Sequence, residues 1–286
     1  MVNLNHNDNI NSNQNFTQFT TNPKYNKANF YKNSTINNNF RFIDSVSNQA
    51  LRIYHQNICG LAPKTNDLLI SLYRNLPHIL CLTEHHLRDF QIQHITMDDN
   101  ILGAEFSRYP YHKGGVCMFI QKYFPFSVIN IEQFCKDKEL EVCALRLDFL
   151  PFKVCIISLY RSPNGNFQYF IKGLGTIINK IYKPEVQLKI CGDININYLT
   201  ESKEKQGLNN ILKSYNLVNV VNYPTKIKSN SRSARDNIFL DTTQFGMYTT
   251  CSMSNCLLEH DDQMLELYVV NLNSNRNVYK TITIKN

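Results

Sequence analysis

Tryptophan is absent from this chain of 286 residues, and that absence excludes nothing. Other absences are more useful. No apolar run approaches the roughly 18 residues that a membrane-spanning helix needs, so no membrane association is expected. The polar N-terminal stretch lacks the apolar core of a secretory signal. The nine cysteines form no CxxC pair with histidines at zinc spacing. Cys81, Cys117, Cys143, Cys155 and Cys191 fall inside apolar runs and read as small buried hydrophobes of a reducing compartment. No internal repeat is visible. Acidic residues are the scarcer charge, 23 against 30 basic ones, for a net charge of +7. That balance suits a polyanionic partner without requiring one.

What is present divides in three. In residues 1–49 asparagine makes up roughly a third of the positions, with Gln, Thr and Ser between and no apolar period. Such a composition cannot bury enough surface to offset ordering entropy, and a disordered, mildly basic leader is expected. Residues 50–271 carry the pattern of one folded domain, and residues 272–286 read as a frayed tail. Inside the domain, strands are expected at 51–57, 79–83, 116–120, 141–147, 153–160, 186–192, 236–240 and 264–270. Helical spacing marks 64–75, 167–182 and 204–215. Residues 223–235 read as a polar, basic loop. Strands outnumber helices, and several strands are continuous apolar runs that must be covered on both faces. The expected fold is α/β: two mixed sheets packed face to face with helices outside, a four-layered sandwich.

Polar residues gather where those strands end. Asn57 follows the first strand, Glu84 the second, and Tyr160 closes a third. Gly192, Asp193 and Asn195 close the run Val186-Gln187-Leu188-Lys189-Ile190-Cys191. Asp236 opens a later strand, and His260 stands among acids before the last one. A glycine lets a neighbouring backbone approach a strand end. If the chain stays extended past it, Asp193 and Asn195 project to one side. Each residue also has an ordinary explanation: an Asx turn for Asp193 and Asn195, a helix start for Glu84-His85-His86, a half-buried strand tyrosine for Tyr160. As a set they suit metal-assisted phosphoester chemistry. A hard divalent cation needs only one or two carboxylates, with Glu84 the best candidate ligand. His260 would act as base or transition-state donor if a partner such as Asp236 orients it. Asp193 would align or deprotonate water, while the amides of Asn57 and Asn195 can hydrogen-bond phosphate.

In order and spacing, Gln56-Asn57, Thr83-Glu84, Tyr160-Arg161-Ser162-Pro163, Gly192-Asp193-Ile194-Asn195, Asp236-Asn237-Ile238-Phe239 and Glu259-His260-Asp261 resemble the endonuclease/exonuclease/phosphatase superfamily. In detail the chain looks most like the apurinic-type endonuclease domain of insect non-LTR retrotransposons of the jockey type and the related craniofacial development protein 2-like proteins. The resemblance spans residues 51–270. It implies cleavage of phosphodiesters with Mg²⁺, for which Mn²⁺ can substitute. It further implies that Glu84 holds the metal, with Asn57 close by and Glu259 as a second acid. Asp193 would position the attacking water, Asn195 a phosphate oxygen, and Tyr160 the scissile phosphate. His260, paired with Asp236, would stabilise the pentacovalent transition state. Arg161, Asn164, Lys226, Lys228 and Arg232 would meet the DNA backbone, a sequence-blind contribution. DNA is the implied partner, the nucleus the implied location, and no organic cofactor is expected.

One corner departs from the family pattern. Leu258-Glu259-His260 stands where Ser-Asp-His is usual, which moves a carboxylate by on the order of 1 Å and removes a hydroxyl. Arg235 replaces an apolar residue beside Asp236 and is expected to compete with His260 for that carboxylate. No reverse transcriptase sequence follows, so a fragment, a truncated element or a host-retained remnant is expected. A catalytically inactive nucleic-acid-binding or interaction module, and a phosphatase or phosphodiesterase of the same superfamily, are the alternative functions.

Overall fold

The chain is seen in a computed structural model that describes residues 51–73, 76–109, 113–147, 153–228, 231–241, 247–253 and 262–268. The leader at 1–49, the tail at 272–286 and the segment holding Leu258, Glu259 and His260 lie outside the described residues. The first half runs β1 (Leu51–Asn57), α1 (Thr65–Leu72), β2 (Ile79–Thr83), α2 (Asp89–Ile92), β3 (Asn100–Phe106), β4 (Val116–Gln121) and β5 (Phe126–Val128). It continues through β6 (Glu141–Leu147), β7 (Lys153–Tyr160), α3 (Phe167–Ile181), β8 (Val186–Asp193) and α4 (Lys203–Lys213). The remainder is β9 (Leu217–Asn219), β10 (Lys226–Lys228), β11 (Ser231–Ser233), β12 (Asp236–Asp241), β13 (Met247–Met253) and β14 (Asp262–Tyr268).

Two six-stranded sheets result, ordered β13-β14-β1-β2-β4-β3 and β5-β6-β7-β8-β12-β9, with β10-β11 as a separate hairpin. Each sheet has one parallel pair. β1 runs beside β2 with α1 as the crossover, and β7 beside β8 with α3. Parallel neighbours need such a crossover because their ends lie a full strand length apart. In both sheets the strand beyond the second member of the pair, β4 or β12, returns antiparallel. The topological echo between the halves left no repeat in the sequence, because it lies in strand order rather than in residue identity.

Strand alternation builds the layers. Ile53, Ile79, Cys81, Met118, Ile120, Leu145, Ile156 and Ile238 fill the slab between the sheets. Their neighbours Tyr54, Leu80, Leu82 and Phe119 face outward onto Leu68 and Leu72 of α1 and Ile92 of α2. On the other outer face, Leu188 and Ile190 meet α3 and α4. Helix α3 starts where the Asn166 side chain accepts the Tyr169 N–H at 3.0 Å, satisfying a first-turn donor. It buries Phe170, Leu174, Ile177, Ile178 and Ile181, which share one helical face. The four-layered α/β sandwich is the architecture expected from the sequence.

The differences are local. The basic stretch at 223–235 is not a plain loop: Lys226–Lys228 pairs with Ser231–Ser233 as a hairpin. Three-residue strands leave no apolar period to find. β3 was invisible because it holds Gly103 and a register shift between Leu102 and Ala104, which breaks the alternation.

Candidate active site

The two parallel pairs aim their C-terminal ends at one place. Asn57 pairs with Thr83, the residue before Glu84, across β1 and β2. Tyr160 pairs with Asp193 across β7 and β8, and Asp236 pairs with Asp193 across β8 and β12. Register alone therefore brings Tyr160, Asp193 and Asp236 side by side on one sheet, opposite Asn57 and Glu84 on the other.

At this edge one amide bridges the two sheets. Asn57 Nδ2 donates to Glu84 Oε1 and to Asp193 Oδ2, both at 2.8 Å. With two carboxylates as neighbours, the NH₂ end must face them, since neither offers a hydrogen. Its oxygen accepts the Cys59 N–H at 3.2 Å. Asn57 thus holds two carboxylates at a fixed separation and presents hydrogens to them.

Glu84 follows β2 with a left-handed backbone, φ 54°. Partial burial pushes its carboxyl pKa up, but hydrogen bonds from His86, Asn57 and Tyr160 outweigh this and bring it to about 2. It is an anion at any physiological pH. Tyr160 sits 4 % exposed. Burial, and then the charges of Glu84 and Asp193, push its phenol well above the ordinary tyrosine range, so it stays a neutral hydrogen-bond donor. Behind it stands Arg108, whose guanidinium lies 5.5 Å from the Tyr160 ring and donates to Ser162 Oγ at 2.7 Å. Arg108 is paired with buried Glu141, which also accepts the Gly115 N–H at 2.6 Å and the Lys138 N–H at 2.9 Å. A Cβ on Gly114, at φ +97°, would lie 2.2 Å from that guanidinium. That glycine exists to let the arginine in.

β8 ends at Asp193, and Gly192 does admit a backbone: its absent Cβ would lie 1.9 Å from the Leu159 carbonyl oxygen. Asn195 shares the site, though not through extended backbone. The chain turns there, with φ 52°, and Asp193 Oδ1 accepts the Asn195 N–H at 3.0 Å. The Asx turn and the site residue are one feature. Asn195 Nδ2 donates to the Arg161 carbonyl at 2.7 Å. Arg235 Nη1 stands 3.5 Å from Asn195 Oδ1.

Asp236 is fully buried. It accepts from Thr225 Oγ1 at 2.9 Å and lies 3.4 Å from His55 Nε2. Its expected partner His260 lies outside the described residues, as does Glu259. Arg161 corrects the sequence reading. Its side chain is 2 % exposed, and its guanidinium donates to the carbonyls of Ile194, Gly165 and Asn195 and to Glu204 at 2.7 Å. It braces the turn after β8 and has no face left for DNA. Asn164 is exposed on the turn following β7, and Arg232 is exposed on the β10-β11 hairpin beside half-buried Lys226 and the backbone of Lys228.

Sequence reasoning missed Cys59, His86, His55, Arg108 and Glu141. His86 Nε2 lies 3.2 Å from Glu84 Oε2, and Cys59, Glu84 and His86 bring three ligand atoms within 4.8 Å of one another. The spacing Glu84-x-His86 carried a signal; the other four are paired only by tertiary structure.

No family model and no curated protein matches the chain, whereas solved structures do. The endonuclease domain of TRAS1, a telomere-specific non-LTR retrotransposon, superposes with a TM-score of 0.61 at 12% identity, over 76% of this chain and 98% of that one. An AP endonuclease from Archaeoglobus fulgidus gives 0.58 at 14% identity, over 77% and 100%. D. rerio TDP2 complexed with a single-strand DNA product gives 0.56 at 16%, over 76% and 98%. The chain has the endonuclease/exonuclease/phosphatase fold.

Proposed function

We propose that this chain is a divalent-metal-dependent phosphodiesterase that nicks DNA, in the manner of a retrotransposon endonuclease acting on its target. One observation carries the reading: the Asn57 amide locks Glu84 of one sheet to Asp193 of the other at 2.8 Å each, at the strand exits where Tyr160 and Asn195 also converge. A fixed carboxylate can align water for in-line attack, a second can hold a cation, and a neutral phenol can donate to a phosphate oxygen. A cation held at Glu84 would supply Lewis-acid neutralisation of phosphate charge. Asp193 aligns the attacking water and accepts its proton. Tyr160 donates its phenolic hydrogen to a non-bridging oxygen, and Asn195 offers an amide hydrogen to a second. His260, oriented by Asp236, is assigned to the leaving side. With DNA as substrate, the protein would work in the nucleus.

The test is plasmid nicking by the purified full chain with a divalent cation. Asp193→Asn and Glu84→Ala are each expected to slow nicking by about 10²–10⁴-fold while both variants stay folded by circular dichroism. Nicking that survives both substitutions sinks the reading. The sequence Leu258-Glu259-His260 favours a second reading, an impaired or inactive DNA-binding remnant. A large gain in nicking by the double variant Leu258→Ser with Glu259→Asp supports impairment. Binding without nicking by both forms supports the inactive module.

A further inference from the structure

The side chains gathered around Glu84 are a mixed set of donors. Cys59 lies two residues past the end of β1, and Glu84 and His86 lie one and three residues past β2. Because β1 and β2 are parallel neighbours, both exits open on the same edge. Cross-loop hydrogen bonds fix them there: Gly60 N–H to Glu84 O at 2.8 Å, Leu61 N–H to His85 O at 3.0 Å, and His86 N–H to Gly114 O at 2.9 Å. Lys64 Nζ donates to the Ile58 and Cys59 carbonyls at 2.7 and 3.1 Å. All three residues have left-handed backbones, with φ of 46°, 54° and 59°. Each such residue costs about 1–2 kcal/mol, and strain of this kind concentrates where side chains must be aimed.

They are aimed at each other. A sulfur, a carboxylate oxygen and an imidazole nitrogen lie within 4.8 Å of one another, with His86 Nε2 and Glu84 Oε2 at 3.2 Å. A tetrahedral ion with ordinary bonds of about 2.0–2.3 Å separates its ligands by roughly 3.3–3.8 Å, so small side-chain movements suffice. Mg²⁺ prefers oxygen ligands alone, whereas two of these three donors are a sulfur and a nitrogen. Thiolate and imidazole select borderline and soft divalent ions. Three protein ligands with one open position is the pattern of a reactive rather than a structural site. Cys59 is the exposed one among the described cysteines.

We propose that Cys59, Glu84 and His86 form an open three-ligand site for a zinc-class cation, and that this site prefers such ions to Mg²⁺. It deepens the phosphodiesterase reading and rests on that reading's placement of the cation at Glu84. Thiolate coordination requires loss of the Cys59 proton to solvent on binding.

Cobalt(II) is the probe. Metal-free full chain, kept reduced by a phosphine, should bind one Co²⁺ with a near-ultraviolet thiolate-to-cobalt charge-transfer band. Zn²⁺ should abolish the band, and a large excess of Mg²⁺ should not. Cys59→Ser should remove the band, and Cys59→Ser and His86→Gln should each weaken Co²⁺ binding by about tenfold or more with thermal stability retained. Cys59→Asp should lose the band and gain Mg²⁺ affinity. The proposal is overturned if no band forms, if the band persists in Cys59→Ser, or if Mg²⁺ competes at equal concentration. Nicking assays run in parallel separate the two readings. Mg²⁺-supported nicking without a cobalt band sinks the zinc-class site alone. A Cys59-dependent band without nicking under any ion sinks the phosphodiesterase alone.

Discussion

Glu84 shows how a site residue can couple chemistry to stability. Its folded carboxyl titrates at about 2 rather than near 4.5, so the unfolded chain binds the proton more tightly. The stabilisation is fully present above pH 4.5 and is lost as the pH falls through 2. Wild type should therefore lose on the order of 2–3 kcal/mol over that window that Glu84→Gln does not lose. Urea titrations of both proteins at stepped pH check this; parallel curves would refute it. His85 behaves in the opposite sense to its neighbour. It is fully buried, with Nε2 facing the Phe106 carbonyl and Nδ1 accepting the Leu87 N–H. Burial lowers its pKa to about 4, so it is a neutral strut rather than a catalyst.

At the scale of elements, two features set the geometry. The first is the close pass of β7 and β8, where Gly192 leaves no room for a side chain beside Leu159 O. Gly192→Ala should destabilise the protein by about 3 kcal/mol or more, read as a drop in the urea midpoint, because β7 and β8 must separate to admit the methyl group. An unchanged midpoint would mean the strands can slide. The second is the β10-β11 hairpin, which carries Lys226, Lys228 and Arg232. If it meets phosphates, the Lys226→Ala, Arg232→Ala double variant should lower the slope of log affinity against log salt by about 2, with little change in the nicking rate at saturating DNA. A slope that does not move would remove the hairpin from the interface.

For the molecule as a whole, the inward face of β8 carries a basic group that packing must tolerate. Lys189 lies two residues before Cys191 on the face turned toward the other sheet, 1 % exposed. Burial pulls its pKa down to about 7 against the opposing charge of Asp241. Between pH 7 and 10.5 the unfolded state then holds the extra proton, so Lys189 makes stability rise with pH. Wild type should gain about 2 kcal/mol relative to Lys189→Met between pH 7 and 9. Taking the difference cancels the opposite contribution of the buried thiols of Cys81, Cys117 and Cys143, which burial pushes up. Equal pH dependence in the two proteins would show the ammonium to be solvated.

By itself the sequence determined the two-sheet sandwich and most of the polar residues at its strand exits. Burial and strand alternation are local, periodic signals, and Asp193 and Asn195 announce themselves beside a glycine. What the sequence could not decide was partnership. Arg161 looks like a phosphate contact until Ile194, Gly165 and Glu204 surround it. Cys59 stands in the sequence without a visible partner until parallel pairing of β1 and β2 lays its loop against Glu84 and His86. Asp193 and Asn195 meet through a turn rather than along a strand. Those outcomes depend on register and on the approach of two sheets whose contacting residues, Asn57 and Asp193, stand 136 positions apart. No periodicity within a strand encodes a distance across the slab, and so the bridge from Glu84 through Asn57 to Asp193 was decided only when the sheets closed.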